Sequence, residues 1–475
     1  MHRSYRAPLP RWWQTVSDAQ VSAIVALLVL GVWSRRPVLA IGVGASLALS
    51  KRLRRLAIAG VLCGVLGCAL GQRAWSQSQP DRLGPYVGVA RLLTDPTPRA
   101  GALQVVVEIE GQRFEAFARG SPRRRLTLLL AGEYVWIEGQ RAELTGTNAH
   151  RAAIRHVVGR LDLKVVGDVF PGSPFDRASN RIRRLLADGA SELRVPENAL
   201  FAGLVIGDDR NEPIEMVQQF RSSGMSHLTA VSGQNVAFVL AAAAPLLRRL
   251  RGRTRWMATM GLIAWFIALT RFEPSVLRAG FMAAISATGY LLGRERPPSR
   301  VLPLAVGMLV VIDPMLVWSV GFWLSVGATA GVGMIAPLLV DQLPGPAWLR
   351  VPASVTIGAQ IGVAPISLAV FGSLPLVSIG ANLLAVPVAG FVMLYGLPAG
   401  ILAGYVGGLP AALIQLPCAL GTRWVAMVAA LASRLEPPAP WPPIGWGLLA
   451  LGVIVVYQRR RRSFSVASCN ADVVL

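Results

Sequence analysis

The chain has 475 residues, of which 53% are hydrophobic and only 15% are charged, and its mean hydropathy is +0.51. Soluble domains carry about 25% charged residues, so the composition excludes an ordinary soluble protein and indicates a chain largely surrounded by lipid. The formal net charge of +22 comes almost entirely from arginine. We attribute part of this excess to coding bias and part to the loops that orient membrane helices, while the remainder could serve a polyanion.

Residues 1–75 predict N-terminal transmembrane segments. Apolar stretches lie at roughly 18–34, 37–50 and 56–72, and the first two are short against the about 20 residues of a full span. More apolar segments follow and no convincing cleavage site is present, which argues against a removable signal peptide. The basic run Lys51–Arg55 predicts a cytoplasmic loop, and therefore a cytoplasmic N-terminus and an extracytoplasmic residue 75.

Residues 84–168 show a different pattern, in which apolar and polar side chains alternate. The alternation is clearest at 103–109, 112–117 and 133–138, and glycines separate these stretches. Short period-two strands with glycine turns predict a small extracytoplasmic β-barrel. An OB-like fold fits, with five strands if 88–93 and 161–166 are included.

OB folds bind single-stranded nucleic acid through a basic groove and stacking aromatic rings. The candidate DNA-binding residues of this domain are accordingly Arg119, Arg123, Arg124, Arg125, Tyr134 and Trp136. The region holds 12 basic and 9 acidic residues, a net charge of only +3. The alternative, in which the rings belong to the core and the arginines to a solvated loop, therefore stays open.

The second half of the chain predicts interfacial helices followed by a transmembrane domain. Residues 172–226 combine arginines with isoleucine and leucine, as in amphipathic helices at a membrane surface. Residues 227–458 predict the transmembrane domain, and 459–475 a basic cytoplasmic tail. The nine expected crossings are 228–248, 255–271, 275–293, 300–312, 316–340, 350–371, 375–398, 418–434 and 442–458. Residues 400–416, rich in glycine and proline, are expected to be re-entrant or interfacial.

The expected fold is thus a polytopic α-helical membrane protein of about 12 spans with an inserted extracytoplasmic OB-like β domain. Both termini are expected in the cytoplasm and residues 75–226 outside it, because this arrangement places the basic loops inside. Asp208 and Asp209 in the interfacial region could bind a metal, although adjacent acidic residues in a turn more often simply end a helix.

Several predicted spans carry polar side chains that a helix facing only lipid would not hold. Burial of an unpaired polar group costs about 1–3 kcal/mol, so such residues should face a cavity or a partner. The candidates for a pore are His227, Ser232, Gln234, Asn235, Arg278, Ser325, Gln360 and Asn382.

Arg278 is the foremost of these residues because it is charged. Its expected partners are Glu273 and Asp313, and the alternative role is a structural ion pair near the membrane boundary. Asp313 precedes a proline and is expected to turn the chain. Small residues around Gly327 and Gly331 are expected to permit close helix packing rather than to line a pore.

Motifs of the common enzyme classes are missing from the sequence. No nucleophile elbow surrounds Ser232, only four histidines occur, and no Walker loop or metal-binding histidine cluster is present. The four cysteines, Cys63, Cys68, Cys418 and Cys469, have no ligand spacing and predict no disulfide framework. We therefore expect no catalytic residues, no bound metal and no cofactor.

Five blocks of the sequence, in order, resemble the ComEC competence proteins, the inner-membrane channels for DNA uptake in natural transformation. The most specific is GMSHLTAVSG at 224–233, which is similar to the family signature G…HLLAISG. The other blocks are EPSVLRA at 273–279, DP at 313–314 followed by GFWLS at 321–325 and AT at 328–329, AQ at 359–360 followed by Pro365 and FG at 371–372, and ANLLAVP at 381–387. The resemblance covers residues 85–435, including the β domain.

The resemblance implies a channel that passes single-stranded DNA to the cytoplasm, with the external domain helping to receive it. Membrane lipid, a DNA receptor protein, a separate nuclease, a cytoplasmic motor and further copies of the chain are the partners it suggests. Asn235 stands where many members have a second histidine, which weakens any mechanism that needs two imidazoles. Many members also end in a metallo-β-lactamase-like domain, which we do not expect here, so a nuclease would be a separate protein.

Two other functions stay open at this point. The chain could be a scaffold or receptor that positions a nuclease or motor without conducting DNA, or it could export another substrate. A scaffold would tolerate substitution of His227 or Asn235, whereas a channel would not.

Overall fold

The computed structural model describes residues 17–38, 41–42, 54–99, 101–229, 233–293, 297–438 and 446. These residues form one six-stranded sheet and are otherwise mostly helical. They divide into two compact units, the first within Met1–Asn180, Gly252–Met260 and Gly280–Phe322, the second within Arg181–Arg251, Gly261–Ala279 and Trp323–Leu475. The predicted segments 37–50 and 442–458 and the tail at 459–475 lie largely or wholly outside the described residues.

Among the helices that precede the sheet are α1 (Asp18–Ser34) and α2 (Arg54–Ser76). α1 begins after Ser17, whose hydroxyl accepts the Gln20 N–H while the Gln20 side chain accepts the Ser17 N–H. This reciprocal capping box satisfies backbone donors that the first helical turn leaves unpaired. Gly71 of α2 packs directly against the α1 backbone, an approach that a larger residue would prevent.

The sheet confirms the strands that the alternating pattern predicts and adds one short strand. The six strands are β1 (Gly84–Leu92), β2 (Thr97–Arg99), β3 (Ala102–Ile109), β4 (Gln112–Ala118), β5 (Tyr134–Ala142) and β6 (Val157–Phe170). Their order is β1-β5-β6-β4-β3-β2, and β1 also pairs with β3. Hydrogen bonding therefore runs from β1 through β5, β6, β4 and β3 back to β1.

All strand pairs are antiparallel except β4–β6, which is parallel. β3 and β4 form a hairpin whose two turn residues, Glu110 and Gly111, both have positive φ, at 52° and 79°. This is the geometry that a two-residue hairpin turn requires. Inward-facing side chains form an apolar core that includes Phe114, Ile137 and Leu161, all almost fully buried. Two short helices, α3 (Ser121–Leu126) and α4 (Gly146–Ala153), lie in the connections.

The rest of the described part of the chain is mostly helical. The elements are α5 (Pro174–Ala190), α6 (Glu197–Ile206), α7 (Ile214–Ser222), α8 (Ser226–Thr229), α9 (Gly233–Leu247), α10 (Gly252–Leu269), α11 (Pro274–Leu291), α12 (Pro298–Ile312), a 3-10 turn (Pro314–Trp318), α13 (Val320–Ala330), a π-helical turn (Gly331–Ile335), α14 (Ala336–Val340), α15 (Ala347–Phe371), α16 (Ser378–Val406) and α17 (Gly408–Leu435).

Five stretches of helix in the described part are long and apolar enough to cross a membrane. They are Ala57–Ser76, Val320–Val340, Ala347–Phe371, Ser378–Val406 and Gly408–Leu435. Large apolar side chains on α16 and α17, among them Leu384, Phe391 and Leu413, are exposed, as expected for surfaces that face lipid. These features are those of a membrane protein, and the count of about 12 spans stays a prediction.

One prediction about the helices differs from the structure. Residues 400–416 are not a separate segment, because α16 continues to Val406 and α17 begins at Gly408 after a break at Gly407. Near the end of α5, Gly189 and Leu186 contact Gly400 of α16, and glycine on both helices permits this close contact. The interfacial position of residues 172–226 stays a prediction.

Candidate functional site

Residues 224–229 of the signature block are called the signature segment, which begins at a sharp turn after α7. Gly224 has φ 73°, a left-handed conformation that glycine adopts without strain, and it directs the chain into the short helix α8. His227 on α8 is exposed. In α9, Gln234 is half-buried and Asn235 is buried. Ser232, the fourth candidate in this stretch, lies outside the described residues.

The turn at Gly224 is held close to the beginning of α16. A Cβ atom at this position would lie 2.7 Å from the Cβ of Ser378 and 3.6 Å from Pro375, so no larger residue fits without displacement. Ser378 is the first residue of α16 and is completely buried. The signature segment is therefore positioned by direct packing on this serine.

Ser378 is also the centre of a cluster of packed and hydrogen-bonded residues, Gly224, Gln360, Ser378 and Asn382, which we call the Ser378 cluster. Gln360 Nε2 donates to Ser378 Oγ at 3.1 Å, and Asn382 Nδ2 donates to the Ser378 carbonyl oxygen at 2.7 Å. The Ser378 hydroxyl donates to the Pro375 carbonyl oxygen at 2.7 Å. Two of the predicted residues, Gln360 and Asn382, thus meet at a third residue that sequence reasoning missed.

The loop before α16 is anchored from the end of α17. The two carboxylate oxygens of Glu436 accept the backbone N–H groups of Leu376 and Val377, each at 3.0 Å. The negative charge of Glu436 also lies near the positive, N-terminal end of the α16 dipole, which is a favourable interaction. The indole N–H of Trp446 donates to the Leu374 carbonyl oxygen at 3.0 Å. The Ser378 cluster therefore rests on a loop that is fixed at several points.

Arg278 lies on α11, next to the start of α9. Gly233 contacts this helix closely, since a Cβ atom there would be 3.0 Å from the Ala279 Cβ and 3.8 Å from the Ser275 carbonyl oxygen. Arg278 itself is only 5% exposed. Burial of a guanidinium group is costly, so its position on a helix beside the signature block supports a functional or closely structural role.

Asp313 follows α12 and is fixed by two contacts. Its carboxylate accepts the Met315 N–H at 3.0 Å and caps the 3-10 turn, which confirms the prediction that it turns the chain. The other carboxylate oxygen lies 3.0 Å from Nε2 of His156. The pairing of Arg278 with Glu273 or Asp313 stays a prediction.

Ser325 lies on α13, the helix that Gly327 brings close to α15. It is half-buried on α13, and its carbonyl oxygen accepts the hydroxyl of Thr329 at 2.8 Å. Gly327 and Gly331 pack directly on Gly362 and Gly358 of α15, so closely that a methyl group on any of them would overlap the opposite backbone. The prediction that small residues serve helix packing here is confirmed.

An acidic loop connects α6 to α7, close to α8. Asp208 binds Arg210 through two contacts, at 2.6 and 2.5 Å, and lies 3.4 Å from Arg183. Asp208 thus stabilises a turn, as the sequence favours, and the described residues contain no group of three side chains that could hold a metal ion. Glu212, which sequence reasoning missed, is different: burial, followed by the charges of Asp209 and Asp208, raises the pKa of Glu212 to about 7.

The predicted DNA-binding residues of the β domain fall into two groups. The four arginines, Arg119, Arg123, Arg124 and Arg125, are exposed, and the last three lie on α3. Arg125 Nη1 donates to the Val166 carbonyl oxygen of β6 at 2.7 Å. Trp136 packs beside the next residue, Gly167, so the structure brings Arg125 and Trp136 to neighbouring positions of β6.

Tyr134 and Trp136 lie on the face of β5 opposite to the buried residues Val135 and Ile137. Tyr134 is exposed and the guanidinium of Arg91 lies 5.9 Å from its ring centre. Phe114, by contrast, is core, and the ring of Phe117 is covered by Arg160 at 4.8 Å. The arginines in these cation–π pairs lie on the strands and not in the run at 123–125, so the sequence did not single them out.

Comparison with known proteins points to one family. The model of the family described as "Competence protein" matches residues 204–462. The "Uncharacterized protein YcaI" of Escherichia coli (strain K12) is 31% identical over 217 residues, which cover 42% of this chain and 28% of YcaI. "ComE operon protein 3" of Bacillus subtilis (strain 168) is 27% identical over 225 residues, 46% of this chain and 28% of that protein. The chain thus covers less than a third of either relative, and no solved structure matches it significantly.

Proposed function

Because the chain belongs to the competence protein family, we propose that it is a channel that passes single-stranded DNA across the cytoplasmic membrane during natural transformation. One observation carries the proposal. The region matched by the family model, residues 204–462, contains the signature segment, Arg278 and the whole Ser378 cluster. The region that relates the chain to the family thus includes the residues that pack around these buried polar groups.

The chemistry of the cargo explains why polar groups are needed here. A DNA strand carries one phosphate charge per nucleotide, and these charges must stay hydrated or be neutralised while they cross the lipid. The described candidates include one buried cation, Arg278, together with neutral polar groups at His227, Gln234 and Asn235. Such a set suits a hydrated passage better than a track of phosphate-binding arginines.

For the β domain we propose an OB-like barrel that receives the DNA outside the membrane. Support comes from the closed circuit of strand pairing and from the single parallel pair, β4–β6. Exposed Tyr134, half-buried Trp136 and the nearby Arg91 and Arg125 supply stacking rings and cations on the strands. Single-strand binding by OB folds uses this combination.

The proposed membrane arrangement has about 12 spans, cytoplasmic termini and residues 75–226 outside the inner membrane. Five described helices of sufficient length support the membrane location. The proposed channel performs no reaction itself. The partners proposed for it are a cytoplasmic motor, a nuclease for the second strand, a receptor protein and further copies of the chain.

One observation favours the alternative function, a membrane scaffold that positions a nuclease or motor. Gln360 and Asn382 direct their amide groups at Ser378, so part of their hydrogen-bonding capacity is used inside the protein. Buried polar residues that bond one another stabilise a particular packing and need no cargo. A scaffold would therefore need these residues for its stability and not for transport.

The test is uptake of labelled DNA into a DNase-resistant state, in a strain deleted for the gene and complemented with variants. We expect Arg278→Ala and His227→Ala to reduce uptake by about ten-fold or more, equivalent to a barrier raised by roughly 1.4 kcal/mol. Arg221→Ala removes an exposed arginine of α7 and serves as the matched control. Membrane levels of all variants are compared by immunoblotting.

The outcomes separate the two functions. Loss of uptake in both variants at normal membrane level, with Arg221→Ala unaffected, supports conduction through the polar region. Full uptake in both variants supports the scaffold, because a scaffold tolerates their loss. If deletion of the gene leaves uptake unchanged, DNA is not the cargo.

A further inference from the structure

The loop between α6 and α7 places one carboxyl group next to Gly203 of α6, on the side where α8 ends. Oε1 of Glu212 is buried and has no hydrogen-bond partner within the described part of the chain. A Cβ atom at Gly203 of α6 would lie 2.5 Å from this oxygen and 3.5 Å from the carbonyl oxygen of Thr229 in α8. The carboxyl of Glu212 and the end of α8 therefore occupy the same side of α6, in space that only glycine leaves open.

The charges around Glu212 oppose its ionisation. On its own loop are Asp208, which binds Arg210 and Arg183, and Asp209, which is exposed. The surrounding protein, and then the charge of Asp209, also raise the pKa of Glu273, so a further acidic group lies within reach of the same aspartate. The titratable group on α8 is His227. A carboxylate here would lie near the negative charges of Asp209 and Asp208 and in the neighbourhood of the Thr229 carbonyl oxygen.

The sign of the pH dependence follows from these contacts. The pKa of Glu212 is raised from 4.5 to about 7, with burial as the first cause. A group whose pKa is higher in the packed state stabilises that state most at a pH below its ordinary pKa. This stabilisation is lost as the pH rises from the ordinary pKa through the raised pKa. The packed arrangement should therefore weaken between pH 4.5 and about 7.

We propose that Glu212 is a protonation-sensitive positioning residue: its neutral carboxyl holds α8, with His227, against α6, and its ionisation releases that segment. The neutral form can donate a hydrogen bond, whereas the ionised form only accepts and is repelled by a carbonyl oxygen. The inference concerns the protein without cargo and goes beyond the proposed function.

The experiment measures hydrogen–deuterium exchange of the backbone amides of residues 226–229 in the full-length protein in detergent, at pH 6 and pH 8. Wild type is compared with Glu212→Gln at the same pH, which cancels the intrinsic pH dependence of exchange. With a pKa near 7 when packed and 4.5 when released, the ratio of wild-type to variant exchange rates should grow about ten-fold between pH 6 and pH 8. Glu215→Gln, at an exposed glutamate of α7, is the matched control and should leave the ratio constant.

A second pair of variants tests the electrostatic cause. Asp209→Asn removes the exposed neighbouring charge and should lower the pKa of Glu212. The ratio of exchange rates between Asp209→Asn and the double variant Asp209→Asn/Glu212→Gln should therefore grow less between pH 6 and pH 8 than the ratio between wild type and Glu212→Gln. A ratio that is the same at both pH values overturns the proposal, because it assigns Glu212 a purely structural role. If Glu212→Gln fails to fold, a pH profile in Asp209→Asn identical to that of wild type overturns it instead. No DNA is involved, so failure here leaves the proposed function intact.

Discussion

The β domain and the helical domain bury polar groups in different ways. In the sheet, Gln104 and Glu115 lie on adjacent strands, their side chains are hydrogen-bonded to each other, and Arg155 approaches Glu115 at 3.2 Å. Strand register alone brings such diagonal neighbours together. In the helical domain, Ser378 meets Gln360 from another helix and Gly224 from a distant turn. Its partners are set by helix crossings, which local patterning does not encode.

The two domains also differ in the interactions that stabilise them. The sheet has a closed apolar core of its own, centred on large side chains such as Phe114. The long helices expose much apolar surface and approach one another through glycines, as at Gly331 and Gly358. In lipid, such close packing replaces the hydrophobic effect as the source of helix association. Substitutions chosen in each domain can test this contrast.

The largest effect is expected from Phe114→Ala in the sheet. Phe114 is 1% exposed, and truncation of a buried phenylalanine costs about 3–5 kcal/mol through lost contacts and the cavity left behind. We expect the strand signal in circular dichroism to melt at lower temperature while the helical signal persists. Phe175→Ala, at an exposed phenylalanine, should change little. A joint loss of both signals would show that the sheet does not have a separate core.

A smaller effect is expected from Gly331→Ala at the helix crossing. The added methyl group overlaps the carbonyl oxygen of Gly358, and over-packing costs roughly 1–3 kcal/mol. Thermal unfolding of the detergent-purified protein should occur at lower temperature. Gly261→Ala is the control, because no atom lies within 4 Å of the added methyl group. There alanine should be neutral or stabilising, by up to about 1 kcal/mol, through its higher helix propensity. Equal effects at both positions would contradict the packing role.

The same contrast explains which parts of the molecule could be predicted from the sequence. Alternation located β3, β4 and β5 to within a few residues, because side-chain direction in a strand depends only on sequence parity. Hydropathy located apolar segments but misplaced the junction at Gly407, since glycine and proline also occur inside long membrane helices such as α16. Residue type indicated Gln360 and Asn382, since amides are expensive in lipid.

Ser378 and Glu212 could not be predicted in the same way. A serine at the start of a helix is common, and its importance appears only when Gly224 and Gln360 are seen to pack on it. Glu212 lies in a polar loop, where a glutamate needs no explanation until its burial against Gly203 is known. Asn382, four residues after Ser378 on the same helix, is the one local hint of the Ser378 cluster.

The smallest effect is expected from Ser378→Ala, which probes the polar side of the comparison. The substitution removes the hydroxyl that accepts from Gln360 and donates to the Pro375 carbonyl oxygen, but it keeps the backbone carbonyl that binds Asn382. Loss of a hydrogen bond of this kind costs roughly 1 kcal/mol, so thermal unfolding should shift only slightly. Ser433→Ala is a matched control, because that hydroxyl bonds only a carbonyl of its own helix, Ala430.

The informative quantity for Ser378→Ala is the exchange rate of the amides at residues 226–229. Gly224 packs on the Cβ of Ser378, which alanine retains, so the turn should keep its position and exchange should stay close to wild type. Faster exchange would mean that the hydroxyl network, and not the packing contact, holds the signature segment. The helical domain would then resemble the sheet, in which a buried polar pair holds its neighbours in place. The two domains would differ only in whether strand register or helix crossings bring the polar partners together.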